Sequence, residues 1–311
     1  MTVAKKNAFY ELAIEKANKQ AVMVDALTEE SPILAALPME ATTDGLKNVY
    51  EEVVAIDAAE AVDYDAALSE LNADTKLEES TLSKFGGKMT IGEDKANAFG
   101  GPASYFGKRM PLILRETGSA IEKSIIYNNI RAYAFAQGKL VNAGGDQNAN
   151  YSILAVKWSP GETTGLYDPA GFGNGKVFDI MPINGGNLYE IDSDGVLGYG
   201  QRLATYFGIQ LANPRYVAGI ANIDPAIADD AAMVTEAQMD QLLLNVRANP
   251  ANTAIYMHPA MLTELYRYKS SKLQMFIQDG DVNRRIDMWN GIPIITSYNF
   301  LPKTETNVVF A

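Results

Sequence analysis

The chain has 311 residues, of which 47% are hydrophobic and 21% are charged, and its 26 basic and 38 acidic residues give a formal charge of −12. Such a chain is repelled by phosphate backbones unless its cations cluster. No basic cluster is present, and Lys5–Lys6 and Arg284–Arg285 are only pairs, so general nucleic-acid binding is not expected. The absence of cysteine excludes disulfides, thiolate nucleophiles and cysteine metal sites, and no apolar run reaches the length of a membrane span.

The first predicted element is an amphipathic helix over residues 7–28. Its apolar residues recur at helical spacing and are Phe9, Leu12, Ala13, Ala17, Ala21, Val24 and Leu27. A helix with one apolar stripe must dock on another surface. The segment that follows carries Pro32 and Pro38, and we expect it to be extended.

The stretch from Leu46 to Gly101 has few large hydrophobic residues and many acids and glycines. Such a segment cannot form an independent core, and a lone hairpin is only marginally stable in water. We therefore predict a long two-stranded projection that lies on another molecule. Its tip is expected at residues 78–88, where Lys84 and Lys88 flank two glycines.

Residues 112–137 predict a helix about 40 Å long at about 1.5 Å per residue. Its apolar stripe consists of Leu114, Gly118, Ile121, Ile125, Ile126, Ile130 and Tyr133. Pro111 suits the first turn of this helix, and Gly138 suits its C-terminal stop.

The rest of the chain mixes strands and helices without regular alternation, which predicts the α+β class. Strands are expected at residues 151–158, 176–183, 187–192, 202–224, 253–257, 288–298 and 308–310. Helices are expected at residues 235–248, which open with the capping-box spacing of Thr235 and Gln238, and at residues 259–270. Pro293 cannot donate to a ladder, so it is expected at a strand start, an edge or an irregularity.

No catalytic, cofactor-binding or metal-binding residue is predicted, and no cofactor is expected. His258 is the single histidine, and at the start of a predicted helix it is interpreted as a capping or packing residue. The glycine-rich run 171–175 lacks the preceding strand and following helix of a phosphate-binding loop. Residues 192–195 lack the further carboxylates of a calcium loop, so both runs are interpreted as turns.

Three carboxylate pairs could in principle supply an acid and a base. They are Glu51–Glu52, Asp63–Asp65 and Glu78–Glu79. All three fall in the solvated projection, where burial is not available to tune a pKa. They are interpreted as surface charges.

Five segments, in chain order, carry a family resemblance. They are SPILAALPM (31–39), SILAVKWSPGETTGLYDPAGFGNG (152–175), YFGIQLANPRYVAGIANID (206–224), TAIYMHPAMLTELYR (253–267) and MWNGIPIITSYNF (288–300). Together they resemble the major capsid proteins of tailed bacteriophages with the HK97-type fold. Ser159 stands where that family often has glycine, and Gly219 where it often has arginine.

The resemblance implies an N-arm at residues 1–45 and an extended E-loop at 46–100. It implies a peripheral domain at 101–225, which holds the long helix and to which residues 296–311 return, and an axial domain at 226–295. The implied function is structural, not enzymatic: self-assembly as hexamers and pentamers into an icosahedral shell that encloses phage DNA without binding it specifically.

The implied partners are further copies of the chain, a separate scaffolding protein, a portal and a decoration or cement protein, and no membrane. The implied location is the virion, after assembly in the cytoplasm of the bacterial host. Two alternatives stay open. An encapsulin-like compartment would share the fold and enclose cargo enzymes, and a carboxylate-based hydrolase would need two buried acids in a cleft.

Overall fold

The computed structural model describes residues 31–63, 67, 70–98, 100–146, 150–168, 178–191, 195–225, 232–266, 273–277, 285–301 and 304–310. The helix predicted over residues 7–28, the run 171–175 and residues 192–194 lie outside this set. Helices and strands are mixed along the described residues, which confirms the α+β class. No helix within these ranges is both long and apolar enough to cross a membrane.

The helices are α1 (Pro32–Ala36), α2 (Glu93–Ala98), α3 (Pro102–Ser124), a π-helical segment (Ile125–Arg131), α4 (Ala132–Ala136), a 3₁₀ turn (Ile183–Gly186), α5 (Glu236–Asn245) and α6 (Pro259–Leu265). The strands are β1 (Met39–Ala41), β2 (Lys47–Ile56), β3 (Ala73–Thr81), β4 (Ser83–Gly92), β5 (Leu140–Asn142), β6 (Tyr151–Lys157), β7 (Thr163–Tyr167), β8 (Phe178–Pro182), β9 (Tyr189–Glu190), β10 (Leu197–Leu211), β11 (Val217–Ile223), β12 (Thr253–Met257), β13 (Leu273–Ile277), β14 (Arg285–Trp289) and β15 (Ile292–Thr296).

A long helix runs through residues 102–136 as α3, the π-helical segment and α4. It begins ten residues earlier than predicted, because Pro102 and not Pro111 occupies the first turn. Pro111 lies inside the helix, where its missing N–H removes one backbone bond. The end is as predicted: Gly138 has a φ of 63°, and Lys139 N–H bonds the Ala134 carbonyl in a Schellman arrangement.

A seven-stranded sheet, in the order β13-β14-β15-β12-β6-β11-β5, forms the centre of the described fold. Strand β6 alternates its side chains between two cores. Leu154 and Val156 face the long helix, and Ile153 and Ala155 face α5 and α6. The sheet therefore lies between two helical layers.

Pro293 is the second residue of β15 and lies opposite Met288 of β14. The parallel ladder between β15 and β12 begins only at Ile294. The proline thus sits at the strand start, before its missing N–H is needed, as predicted.

A second sheet is organised by β10, which pairs with β4 along one side and with β7, β8 and β9 along the other, while β1 adds to β7. The single strand predicted over residues 202–224 is in fact two, β10 and β11, since the chain turns between Leu211 and Val217. The segment expected to be extended after residue 30 contains the short helix α1, because Pro32 opens a helical turn as readily as it interrupts one.

Candidate functional site

The hairpin of β2 and β3 stands apart from both sheets as a separate two-stranded unit. Its register pairs Val49 with Glu79 and Glu51 with Leu77, and the ladder is irregular between Val53 and Ala55. Eight large apolar residues in and next to the hairpin are exposed, namely Leu46, Val49, Val53, Val54, Ile56, Val62, Leu71 and Leu77. Val54, Ile56 and Leu77 are 66%, 71% and 69% exposed. An isolated hairpin does not hold such a surface in water without a partner.

The base of the hairpin is fixed to the rest of the subunit. Asn48 is buried and donates its side-chain N–H to the Gln210 side-chain oxygen at 2.5 Å. Leu82 N–H bonds the Leu46 carbonyl at 2.9 Å, which closes the two strands where they leave the sheet. The hairpin is therefore anchored to the rest of the subunit at its base.

The predicted tip at residues 78–88 is wrong. Residues 73–81 form β3, and one residue later the chain enters β4, which pairs with β10 along its whole length. The tip lies instead between Asp57 and Asn72, whose backbones are joined by a 2.9 Å hydrogen bond. Lys84 and Lys88 consequently belong to the sheet and not to the projection.

The described members of the three carboxylate pairs lie on this hairpin. Glu51 and Glu79 are exposed, and Glu79 forms an ion pair with Lys47 at 2.9 Å. Glu78 pairs with Lys76. Asp63 is exposed, and Asp65 lies outside the described residues.

Two other carboxylates, which sequence reasoning missed, are buried against the long helix. The first is Glu122, which is fully inaccessible. One of its oxygens accepts the backbone N–H groups of Ile33 at 2.9 Å and Leu34 at 3.4 Å. The side chain therefore caps the N-terminus of α1, although it lies far from that helix in the sequence. The other oxygen accepts Asn299 Nδ2 at 3.0 Å and the Ser297 hydroxyl.

The second buried carboxylate, Glu305, ties the C-terminal residues to the same helix. It accepts the Tyr127 hydroxyl at 2.6 Å and pairs with Arg131 at 2.9 Å. It also accepts the Ser152 hydroxyl, which extends the network to β6. Both partners on the helix lie in the π-helical segment, whose wider turn sets their directions.

Burial raises the pKa of Glu122 and of Glu305, and the hydrogen bonds just described oppose that rise. A general acid or base would need a free oxygen facing a substrate. Here the oxygens are occupied by donors of the chain itself, so these two acids fasten the N-terminal and C-terminal segments to the long helix. Glu122 could have been found from its spacing, since it adjoins Ile121 and precedes Ile125 on the buried stripe.

His258 is the N-cap of α6, as predicted. Its Nδ1 accepts the Ala260 N–H at 3.1 Å, and its ring packs beside Tyr151 and Tyr298 at 5.8 Å each. Burial lowers the pKa of His258 below its ordinary value of 6.5. Protonation would remove the acceptor, so the neutral imidazole is the stabilising form.

We expect the His258→Asn variant to lose one component of the pH dependence of stability. Because the folded pKa lies below the unfolded one, the stability that His258 contributes is present above pH 6.5 and is lost as the pH falls through the folded pKa. Asparagine retains a cap but does not titrate. Melting temperatures measured from about pH 7.5 to about pH 5 should converge for wild type and variant toward the acid end. A constant difference across this range would contradict the assignment.

Among the described residues, no group of three or more His, Asp or Glu side chains has a geometry that could hold a metal ion. The features that stand out are thus an anchored, exposed hairpin and two buried carboxylate ties. The first exposes an apolar surface, and the second joins distant segments of the chain to the long helix.

Comparison with known proteins places the chain in a family. The family model described as "Major capsid protein GP7" matches residues 125–309, which is more than half of the chain. The search of curated proteins found no match.

Solved structures similar to this chain include phage capsid proteins. A bacteriophage Epsilon15 chain is 15% identical, with 87% of each chain covered and a TM-score of 0.58. A bacteriophage JBD30 capsid chain is 10% identical, with 95% of this chain and 99% of that chain covered and a TM-score of 0.52. An encapsulin from Synechococcus elongatus is 11% identical over 63% of this chain and 89% of that chain, and its TM-score of 0.45 is too low to support an argument. The first two likenesses support the HK97-type fold.

Proposed function

This chain belongs to the major capsid protein GP7 family, and we propose that it builds its shell by laying the β2–β3 hairpin of each subunit on a neighbouring copy. A major capsid protein is a structural component of the phage virion and associates with itself. The observation that carries the proposal is the row of exposed apolar residues on a hairpin that is anchored at its base and has no core of its own.

We further propose closure of the shell from hexamers and pentamers around the phage DNA. Assembly would take place in the cytoplasm of the bacterial host, with a separate scaffolding protein, a portal and a decoration or cement protein as partners. The acidic balance of the chain supports enclosure without specific DNA binding, because a surface that attracts phosphate weakly leaves packaged DNA mobile.

The domain division also remains a proposal, with one change of boundary. We assign the E-loop to residues 46–82 instead of 46–100, because Ile91 of β4 and Ala96 of α2 pack against Tyr105 and Phe106 of the long helix. The peripheral domain accordingly begins at residue 83 (83–225, with 296–311), and the N-arm (1–45) and axial domain (226–295) are kept. The boundary between the last two runs through the seven-stranded sheet, where β12 pairs with β6.

The test is a shortened hairpin. Residues 58–71 are replaced by Asn-Gly, which suits a two-residue turn between the hydrogen-bonded Asp57 and Asn72. We expect the subunit to fold with an unchanged melting temperature and to form no closed shells. The measurements are circular dichroism and electron microscopy of the purified protein with its scaffold.

A second variant keeps the hairpin at full length. Ile56→Ser with Leu77→Ser removes two of the most exposed apolar side chains and should also weaken assembly. The matched control is Leu244→Ser, a residue that is 77% exposed on α5 and far from the hairpin in sequence. Normal particles from both the shortened hairpin and the Ile56→Ser, Leu77→Ser variant would overturn the proposal. DNA-packaging proteins rather than a cargo enzyme among the co-purified proteins would separate a phage shell from an encapsulin-like compartment.

A further inference from the structure

The outer face of β4 and β10 carries a cluster of positive charge on an otherwise acidic chain. Lys88 lies directly opposite Arg202 in the ladder, and Lys84 lies opposite Tyr206. With Gly86, Gly87 and Ala204, these cations line a groove of about 320 Å³, which we call the basic groove. Gly86 forms its floor, since a Cβ there would stand 2.4 Å from the Leu203 carbonyl oxygen.

The charges of the basic groove are only partly balanced within the subunit. Arg202 forms an ion pair with the buried Asp179. Among the described residues, no acid forms an ion pair with Lys84 or Lys88, both of which are exposed. Two like charges directly opposite each other in a ladder are destabilising. Asp179 relieves this repulsion in part, and an acidic group that binds beside Lys84 and Lys88 would relieve the rest.

The β2–β3 hairpin has the complementary charge. Residues 47–81 contain ten acids and two lysines, a formal charge of −8. Both lysines form ion pairs within the hairpin, Lys47 with Glu79 and Lys76 with Glu78. The acids near the tip, Glu60, Asp63 and Glu70, are exposed.

The base of the hairpin and the basic groove lie at different positions along β10. Along β10, Arg202 lies beside Lys88, then Tyr206 beside Lys84, and finally Gln210 contacts Asn48 at the hairpin base. The ten-residue β2 starts there and extends by about 33 Å at about 3.3 Å per residue. A neighbouring chain can approach the groove because β4 is an edge strand of the described sheet.

We propose that the basic groove of Lys84, Lys88 and Arg202 receives the acidic tip of the hairpin from a neighbouring copy of this chain. The inference rests on the proposed function and specifies the surface on which the hairpin is laid. The exposed apolar residues of the hairpin would provide most of the buried interface area. The basic groove would determine where on the neighbouring subunit the tip binds. Charge complementarity of this kind also accelerates encounter between subunits.

The test is a charge swap in the full chain, read out as subunit association by sedimentation. Lys84→Glu with Lys88→Glu should weaken association at least about tenfold, and so should the hairpin variant Glu60→Lys, Asp63→Lys, Glu70→Lys. Association of the wild type should weaken as salt rises from about 50 mM to about 500 mM. The control, Lys95→Glu with Lys139→Glu, changes the charge of the chain equally and should leave association unchanged. Unchanged melting temperatures show that all variants are folded.

Mixing the two variants tests whether the contact joins different chains. In each variant the groove and the hairpin tip carry charge of the same sign, so neither variant should associate alone. In an equimolar mixture, the acidic tip of the groove variant meets the basic groove of the hairpin variant, and the basic tip of the hairpin variant meets the acidic groove of the other. The mixture should therefore associate, with the two variants alternating. Failure of the mixture, or rescue only when all five substitutions are in one chain, would overturn the second copy as occupant. Normal association of the groove variant would overturn the inference and leave the proposed function standing. A wild-type chain that stays monomeric at every concentration would overturn both.

Discussion

Replacement of Ile126 with aspartate is expected to prevent the subunit from folding. Ile126 lies in the π-helical segment, is fully buried and belongs to the core cluster between the long helix and the seven-stranded sheet. An unpaired carboxylate at such a position costs several kcal/mol. The total stability of a folded domain is only roughly 5–15 kcal/mol. Soluble expression and a cooperative melting transition should both be lost, and Ile125→Asp should behave in the same way.

The matched control is Leu112→Asp on the same helix. Leu112 is 60% exposed, so its replacement leaves no charge buried and should change the melting temperature little. If Ile126→Asp and Leu112→Asp melted alike, the buried stripe would have to be placed elsewhere on the helix. Both variants introduce the same residue and the same charge into the long helix, and the two positions differ chiefly in burial.

The long helix and its stripe were predictable because helical periodicity is a local property. Leu114, Gly118, Ile121 and Ile125 recur every three or four residues, and all are buried. The start of the helix was not predictable in the same way. Pro102 and Pro111 both suit a first turn, and the choice between them depends on α2 and β4 packing against residues 102–110.

The projecting hairpin was predictable because its sequence has few large apolar residues. Few large apolar residues between Leu46 and Gly101 meant no independent core, and the exposed β2 and β3 agree with that reasoning. The tip was misplaced because glycines at 86 and 87 indicated a turn. Gly86 is instead needed inside β4, where β10 approaches too closely to admit a Cβ.

The buried carboxylates show where sequence reasoning ends. Glu122 forms hydrogen bonds with Ile33, 89 residues away in the sequence, and with Ser297, 175 residues away. No local sequence pattern predicts contacts between residues so far apart. Composition suggested that the acids are solvated, which holds for the hairpin. At Glu122 and Glu305, donors from distant segments outweigh that tendency.

The second large loss of stability is expected when Glu122 is replaced. Alanine at this position removes the acceptor for four buried donors: the N–H groups of Ile33 and Leu34, the Ser297 hydroxyl and the Asn299 amide. Each buried donor left unpaired costs about 1–3 kcal/mol, so a loss of about 4 kcal/mol or more is expected. The melting temperature of Glu122→Ala should fall sharply, and the N-terminal and C-terminal segments should become sensitive to proteases.

The stability of Glu122→Gln should lie between those of wild type and Glu122→Ala. The amide oxygen of glutamine still accepts hydrogen bonds, whereas its amide nitrogen can only donate. Glutamine also mimics the protonated acid. Burial raises the pKa of Glu122, so its contribution to stability is full below the unfolded pKa and is lost as the pH rises through the folded one. Wild type should therefore lose stability relative to Glu122→Gln as the pH rises, which chemical denaturation at several pH values measures. Glu116→Gln, an exposed residue of the same helix, serves as the control and should show neither effect. Equal stability of Glu122→Ala and Glu116→Gln would show that the carboxylate does not hold the two segments to the helix.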